Sequence, residues 1–315
     1  MGNEVEISII GPGPQGPIIA RLLGLLKMKT ALRNSKNFKE RRKQKFSIMS
    51  SDLDGGDDDI SPISLILPSE EKDAVASELL HHFIPSIDST LSIRQLPSQG
   101  LSFQLWPAAT TLVNLLDDHR SRPQTNPLTP TLTALRHASK SPTLKVLEIG
   151  SGTGIVGIAA AATLRAKVTI TDLSHVISNL QFNVEANAGI LAANGGCVQV
   201  APLHWGEAID AELIELDFDL ILASDVVYHD HLYNPLIQTL KDFLLGGGNP
   251  NMVFLMAHLR RWKKDSAFFR KARKFFEVEV LHTDPPPPGS RTGVVVYRFT
   301  AKLSKKPAIG SANQG

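Results

Sequence analysis

From Leu144 onward the sequence keeps one rhythm: a short apolar run, then a stretch with helical spacing, repeated almost to the end. "LKVLEIG", "KVTITD", "CVQVAPLHW" (a strand and its exit), "FDLILAS" and "NMVFLMA" read as strands. Between or after them "GIVGIAAAATLRA", "SHVISNLQFNVEANA", "YNPLIQTLKDFLL" and "KKDSAFFRKARKFF" read as helices. Such alternation predicts a mainly parallel sheet covered on both faces by helices. The last two runs, "EVEVLH" and "GVVVYRFT", have no helix between them and should pair antiparallel.

Upstream, the pattern is less regular. "SEEKDAVASELLHHF" carries a helix signal, with Ser69 as N-cap and acids in the first turn. "ISLIL" (63–67), "LSIRQL" and "LSFQLW" read as strands, and Pro107 is placed to open a helix through "AATTLVNLLDDH". Residues 121–143 read as a loop with one helical turn at most. The expected organisation is a disordered basic then acidic tail over 1–60, a β/α extension and loop over 61–143, a ligand-binding core over 144–302, and a disordered tail over 303–315.

Charge narrows the partners. Residues 1–50 hold ten Lys/Arg against three Glu, which leaves 23 basic against 28 acidic residues elsewhere. The expected folded part is therefore mildly acidic, which disfavours nucleic acid as its partner. Cys197 is the only cysteine, so no intrachain disulfide or cysteine zinc site can form. No apolar run approaches the ~18 residues of a membrane helix. No metal, no membrane and a cytoplasmic setting are the expectations, extending to the nucleus. The basic N-terminus leaves organelle targeting open as well.

Gly150, Gly152, Gly154 and Gly157 in "LEIGSGTGIVG" sit between the first core strand and its helix. Glycines there let the backbone turn sharply and approach a ligand at a helix N-terminus. Asp172 ends the next strand, 20 residues after Gly152, where a carboxylate can take both ribose hydroxyls. These features fit a dinucleotide as well as S-adenosylmethionine. Three others favour the latter. Glu148 places a carboxylate two residues before the first glycine, where a pyrophosphate would be repelled. The core begins after about a hundred residues. The closing strand pair suits a methyltransferase sheet.

"LWPAA", "LEIGSGTGIVGI", "VTITD", Asn183-Val184 with Ala186-Asn187, "LHWG" and "FDLILASDVVY", in that order, resemble the seven-β-strand protein-lysine methyltransferases of the methyltransferase-like 21 type. The resemblance covers roughly Leu101 to Thr300. It implies a class I, Rossmann-like α/β fold with an antiparallel last strand, and S-adenosylmethionine as cofactor. It further implies that Trp106 closes over the cofactor and that Gly150, Ser151 and Gly152 wrap its amino-acid portion. Asp172 would hold the ribose, Trp205 the adenine, and Ser224 would stand beside the cofactor. Asp225 and Tyr228 fill a D-x-x-Y motif and would receive and orient a lysine amine of a non-histone protein, with chaperones and translation factors among the substrates of relatives. Ser224 departs from the alanine of many relatives. The rival readings are a methyltransferase of nucleic acid or of a small molecule, and a silent cofactor-binding scaffold. Against the first, Val226-Val227 stands where base-directed enzymes carry two prolines.

Overall fold

The computed structural model describes residues 77–246, 248–286 and 292–302, within one compact unit, Asp73–Gly315. The expected tails, the strand over 63–67 and the Ser69 cap lie outside these residues. Nine strands are found among the described residues: β1 Glu78–Ile84, β2 Ser89–Gln95, β3 Lys145–Ile149, β4 Lys167–Asp172, β5 Cys197–Pro202, β6 Leu220–Ser224, β7 Val253–Leu259, β8 Phe276–Thr283 and β9 Val294–Ala301. The helices are α1 Pro107–Ser121, α2 Thr129–Ala138, α3 Ile155–Leu164, α4 Ile177–Ala186, α5 Ala188–Ala193, α6 Ala211–Ile214, α7 Tyr233–Leu244 and α8 Asp265–Ala272.

Seven strands form one sheet in the order β5-β4-β3-β6-β7-β9-β8. β5, β4, β3, β6 and β7 run parallel, and β9 inserts antiparallel between β7 and β8. The order reverses at β3 and β6, so the carboxyl ends of these neighbours open the cleft where doubly wound sheets bind ligands. Alternate strand residues feed two cores. Val146, Leu220, Leu222, Val253 and Leu255 pack with α1, α2 and α3, while Leu147, Ile149, Ile221, Ala223 and Phe254 pack with α7 and α8. The doubly wound α/β fold expected from the sequence is the fold found.

Three local expectations are corrected. Glu78–Phe83, expected to end a helix, belong to β1, which pairs antiparallel with β2 in a separate two-stranded sheet. Leu80 and Ile84 face inward while Leu79 and Phe83 stay exposed, a two-residue period that the doubled "LLHH" concealed. "LSFQLW" is not a strand. Gly100 at φ 117° turns the chain into a short 3-10 turn over Leu101–Phe103 that buries Phe103. Within 121–143 lies the ten-residue α2, whose Leu132 and Leu135, with Leu128 before it, pack on the core.

The second edge of β2 is closed by a helix rather than by a strand. Asn183 Oδ1 accepts the Arg94 N–H at 2.8 Å, and its Nδ2 donates to the Arg94 carbonyl at 3.2 Å. Asn187 repeats the pattern on Ser92, at 3.0 and 2.9 Å. Asn179 accepts from Arg94 Nε at 2.8 Å. The i, i+4 spacing puts all three buried asparagines on one face of α4 and its end. Each amide presents a donor and an acceptor, as a neighbouring strand would.

Candidate active site

Gly150, Ser151, Gly152, Asp172, Trp205, Ser224 and Asp225 lie where β3, β4, β5 and β6 end. The glycine loop leaves β3 through Gly150 at φ 61° and Gly152 at φ 56°, backbone that a side chain enters only with strain. A Cβ on Gly150 would stand 2.8 Å from Trp205 Cζ2 and 2.9 Å from Val226 Cγ1. The Trp205 ring, carried in from the end of β5, therefore rests directly on the loop. Ser151 ties the loop to β4: its N–H donates to the Thr171 carbonyl at 2.9 Å and its Oγ accepts the Thr171 N–H at 3.0 Å.

Asp172 is buried at the end of β4. Its Oδ2 accepts the Gly152 N–H at 2.8 Å and its Oδ1 the Leu173 N–H at 2.7 Å. Burial pushes its carboxyl above the ordinary value, and these two bonds oppose the rise. An ionised carboxylate has about four acceptor positions, so capacity for a diol remains. Burial, then the charge of Asp172, pushes the Tyr228 hydroxyl up, so the phenol keeps its proton.

Glu148 is placed differently from expectation. It is buried beneath α3, and its Oε2 accepts the Gly157 N–H at 2.9 Å. Burial pushes its pKa from 4.5 up to about 8. It is mostly neutral near pH 7, and so does not supply the negative charge that the sequence argument set against a pyrophosphate.

Ser224 ends β6, half-buried, beside Ala257 of β7. Asp225 follows in the left-handed region, φ 53°. Its N–H still pairs with the Ala257 carbonyl, but the turn throws the side chain across to the end of β7. There Oδ1 accepts the Leu259 N–H at 2.9 Å and Oδ2 accepts from Arg261 Nη2 at 3.1 Å. The Asp225 side chain is 4% exposed. Burial works to raise its pKa, but His258, Arg261 and the Leu259 N–H together hold it below the ordinary value. Trp106 caps α1 and donates its indole N–H to the Leu101 carbonyl at 3.0 Å. The Arg261 guanidinium lies 5.2 Å from the centre of its ring.

The structure thus brings Gly150, Ser151, Gly152, Asp172 and Trp205 into one group. Trp106 and Asp225 are joined by Arg261. Arg261, His258 and Asp265 complete the surroundings of Asp225 and are not among the residues read from the sequence. Nothing in the local sequence marks them, because their partners lie 33 or more positions away or across a turn. Among the described residues no group of three or more His, Cys, Asp or Glu could hold a metal ion, and no helix is long and apolar enough to cross a membrane.

Residues 86–275 match the family model of lysine methyltransferases. The chain belongs to the lysine methyltransferase family. It is 32% identical over 224 residues to the protein N-lysine methyltransferase METTL21A of Mus musculus, which covers 70% of this chain and 91% of the relative. A Danio rerio METTL21A is 37% identical over 160 residues, 51% of this chain and 67% of its own length. The EEF1A lysine methyltransferase 3 of Xenopus tropicalis is 39% identical over 126 residues, 40% of this chain and 52% of its own. The resemblance read from the motifs is borne out.

Proposed function

We propose that this protein transfers a methyl group from S-adenosylmethionine to the ε-amine of a lysine in a non-histone protein. The observation that carries the reading is the family match, which spans the glycine loop, Asp172, Trp205 and the Asp225–Tyr228 segment together. The donor set suits the cofactor: a glycine turn where a Cβ would clash, a buried carboxylate for a diol, and an indole ring against the loop. Gly150, Ser151 and Gly152 would hold its amino-acid portion, Asp172 the ribose, Trp205 the adenine, with Trp106 and Ser224 beside it.

When bound, the cofactor supplies an electrophilic methyl on a sulfonium. The chain's own residues handle the acceptor. A lysine is protonated at neutral pH, with pKa ~10.4, and must release a proton to solvent before its lone pair attacks. Asp225 is ionised and can draw the ammonium in. Partial burial at the cleft then favours the neutral amine. Tyr228 remains protonated and can orient the nitrogen. Alignment of the lone pair with the bond to be broken supplies the catalytic gain, of order several kcal/mol.

The relatives include enzymes named for EEF1A, which supports a translation factor as the class of substrate to try first; a chaperone is the other class that the motif resemblance implies. A cytoplasmic and nuclear setting belongs to the same proposal. Calorimetric titration tests it: S-adenosylmethionine should bind with an affinity that Asp172→Asn weakens at least tenfold, while NAD gives no heat. Heat from NAD alone would overturn it.

A further inference from the structure

Behind the acceptor carboxylate lies a charge cluster for which the methyl-transfer reading has no task. His258 stands in β7, 1% exposed, with a carboxylate on each side of its ring. Nε2 is 3.3 Å from Asp265 Oδ2, and Nδ1 is 3.6 Å from Asp225 Oδ1, beyond hydrogen-bond reach but within that of an ion pair. Asp265 opens α8, is fully buried, and accepts the Trp262 N–H on the same Oδ2 at 3.3 Å. Arg261 meets Asp225 from the other side. Charges therefore alternate along the row Arg261, Asp225, His258, Asp265. Burying such groups is costly unless each charge is met. An apolar residue at 258 would have avoided the cost, so the cluster calls for a task.

The two cations on Asp225 are not equivalent. Arg261 is 21% exposed along its side chain and reaches over Trp106 at the mouth of the cleft. His258 cannot leave. An ammonium arriving at Asp225 competes with Arg261 and never with His258.

We propose that His258, clamped by Asp265, is a positioning residue that keeps Asp225 ionised and aimed while an acceptor lysine competes with Arg261 for its open side. The proposal rests on the lysine-methylation reading of Asp225. The groups around His258 agree with it. Asp225 faces it from the end of β6, Asp265 and the Phe269 ring from α8, and Val295 of β9 is its strand partner. Tyr233 of α7 and Tyr297 of β9 feel the charge of Asp265, and Arg260 acts on Tyr297. Burial alone would lower the imidazole pKa, but the two carboxylates outweigh it and hold the value above 6.5. A raised histidine pKa means that the clamp is fully charged below the ordinary value. It weakens as pH rises through the folded value.

Nuclear magnetic resonance titration of His258 in the full chain tests the clamp without a substrate. Asp265→Asn and Asp225→Asn should each lower its proton affinity at least tenfold. A change below twofold in both overturns the proposal, and if Asp265→Asn does not fold, Asp225→Asn alone decides. His258→Gln then tests the link to turnover, read as tritiated methyl transfer into lysate protein. S-adenosylmethionine affinity should stay within twofold of wild type. The ratio of wild-type to variant rate should be largest below the His258 titration midpoint and shrink as pH rises above it. A ratio independent of pH, or a matching loss of cofactor affinity, would show a merely structural histidine and overturn the proposal. Absence of any wild-type transfer into protein, beside an intact titration result, would instead refute the lysine reading on which the proposal rests.

Discussion

Replacing Glu148 by glutamine should stabilise the protein at neutral pH and do little in acid. Glu148 is fully buried, and its carboxyl titrates at about 8 rather than 4.5 because burial disfavours the charged form. The native state therefore holds a proton that the unfolded chain has released between those two values. Stability must fall as pH rises through that window, by about 1.4 kcal/mol for each tenfold drop in proton concentration. Between pH 5.5 and 7.5 the loss is about 3 kcal/mol, a large share of a typical domain's stability. Glutamine keeps a carbonyl oxygen for the Gly157 N–H, now 2.9 Å from Oε2, and does not titrate. Urea unfolding of wild type and Glu148→Gln at pH 5.5, 6.5 and 7.5 reads this group and its coupling to Asp172 by difference. The advantage of the variant should grow by about 3 kcal/mol across the series. A difference that stays flat, or shrinks with rising pH, would refute the assignment of a buried, proton-holding Glu148.

Other perturbations have equally definite outcomes. Asn183→Ala removes the acceptor of the part-buried Arg94 N–H and the donor to the buried Thr153 carbonyl, while Asn179 still donates to the Arg94 carbonyl, and should cost about 2–4 kcal/mol in urea unfolding, since each orphaned group costs roughly 1–3; a loss below about 0.5 kcal/mol would deny the asparagine pairing. Gly150→Ala forces a side chain onto a left-handed backbone and into the Trp205 ring, so cofactor affinity should fall at least tenfold by calorimetry. Asp225→Ala should abolish methyl transfer while cofactor binding stays within a few fold; intact turnover would remove Asp225 from the acceptor site.

The sheet could be read from the sequence because its strands announce themselves locally. "LKVLEIG" and "FDLILAS" are continuous apolar runs bounded by turn residues, as strands buried on both faces must be. The extension could not be read in this way. β1 is a strand because β2 offers it an edge, and β2 is held in turn by asparagines about 90 positions away. The Asn183 and Asn187 motif was visible as letters, but its purpose, closing a strand edge with a helix, appears only in three dimensions. The site divides along the same line. Gly150, Ser151, Gly152 and Asp172 follow from one strand–turn–helix unit and the end of the next strand. Arg261 and His258 meet Asp225 from β7 and the segment after it, and Asp265 meets His258 from α8, where no local pattern records the contact. Glu148 was visible as a carboxylate, but its proton is set by burial under α3.

Acid hydrolysis of the radiolabelled acceptor tests the central claim most directly. The full chain is incubated with tritiated S-adenosylmethionine and a cell lysate, the labelled protein band is hydrolysed, and the amino acids are separated. The label should co-elute with ε-N-methylated lysine, and Asp225→Ala should leave the band unlabelled. Label recovered in RNA, or on any amino acid other than lysine, would contradict the account.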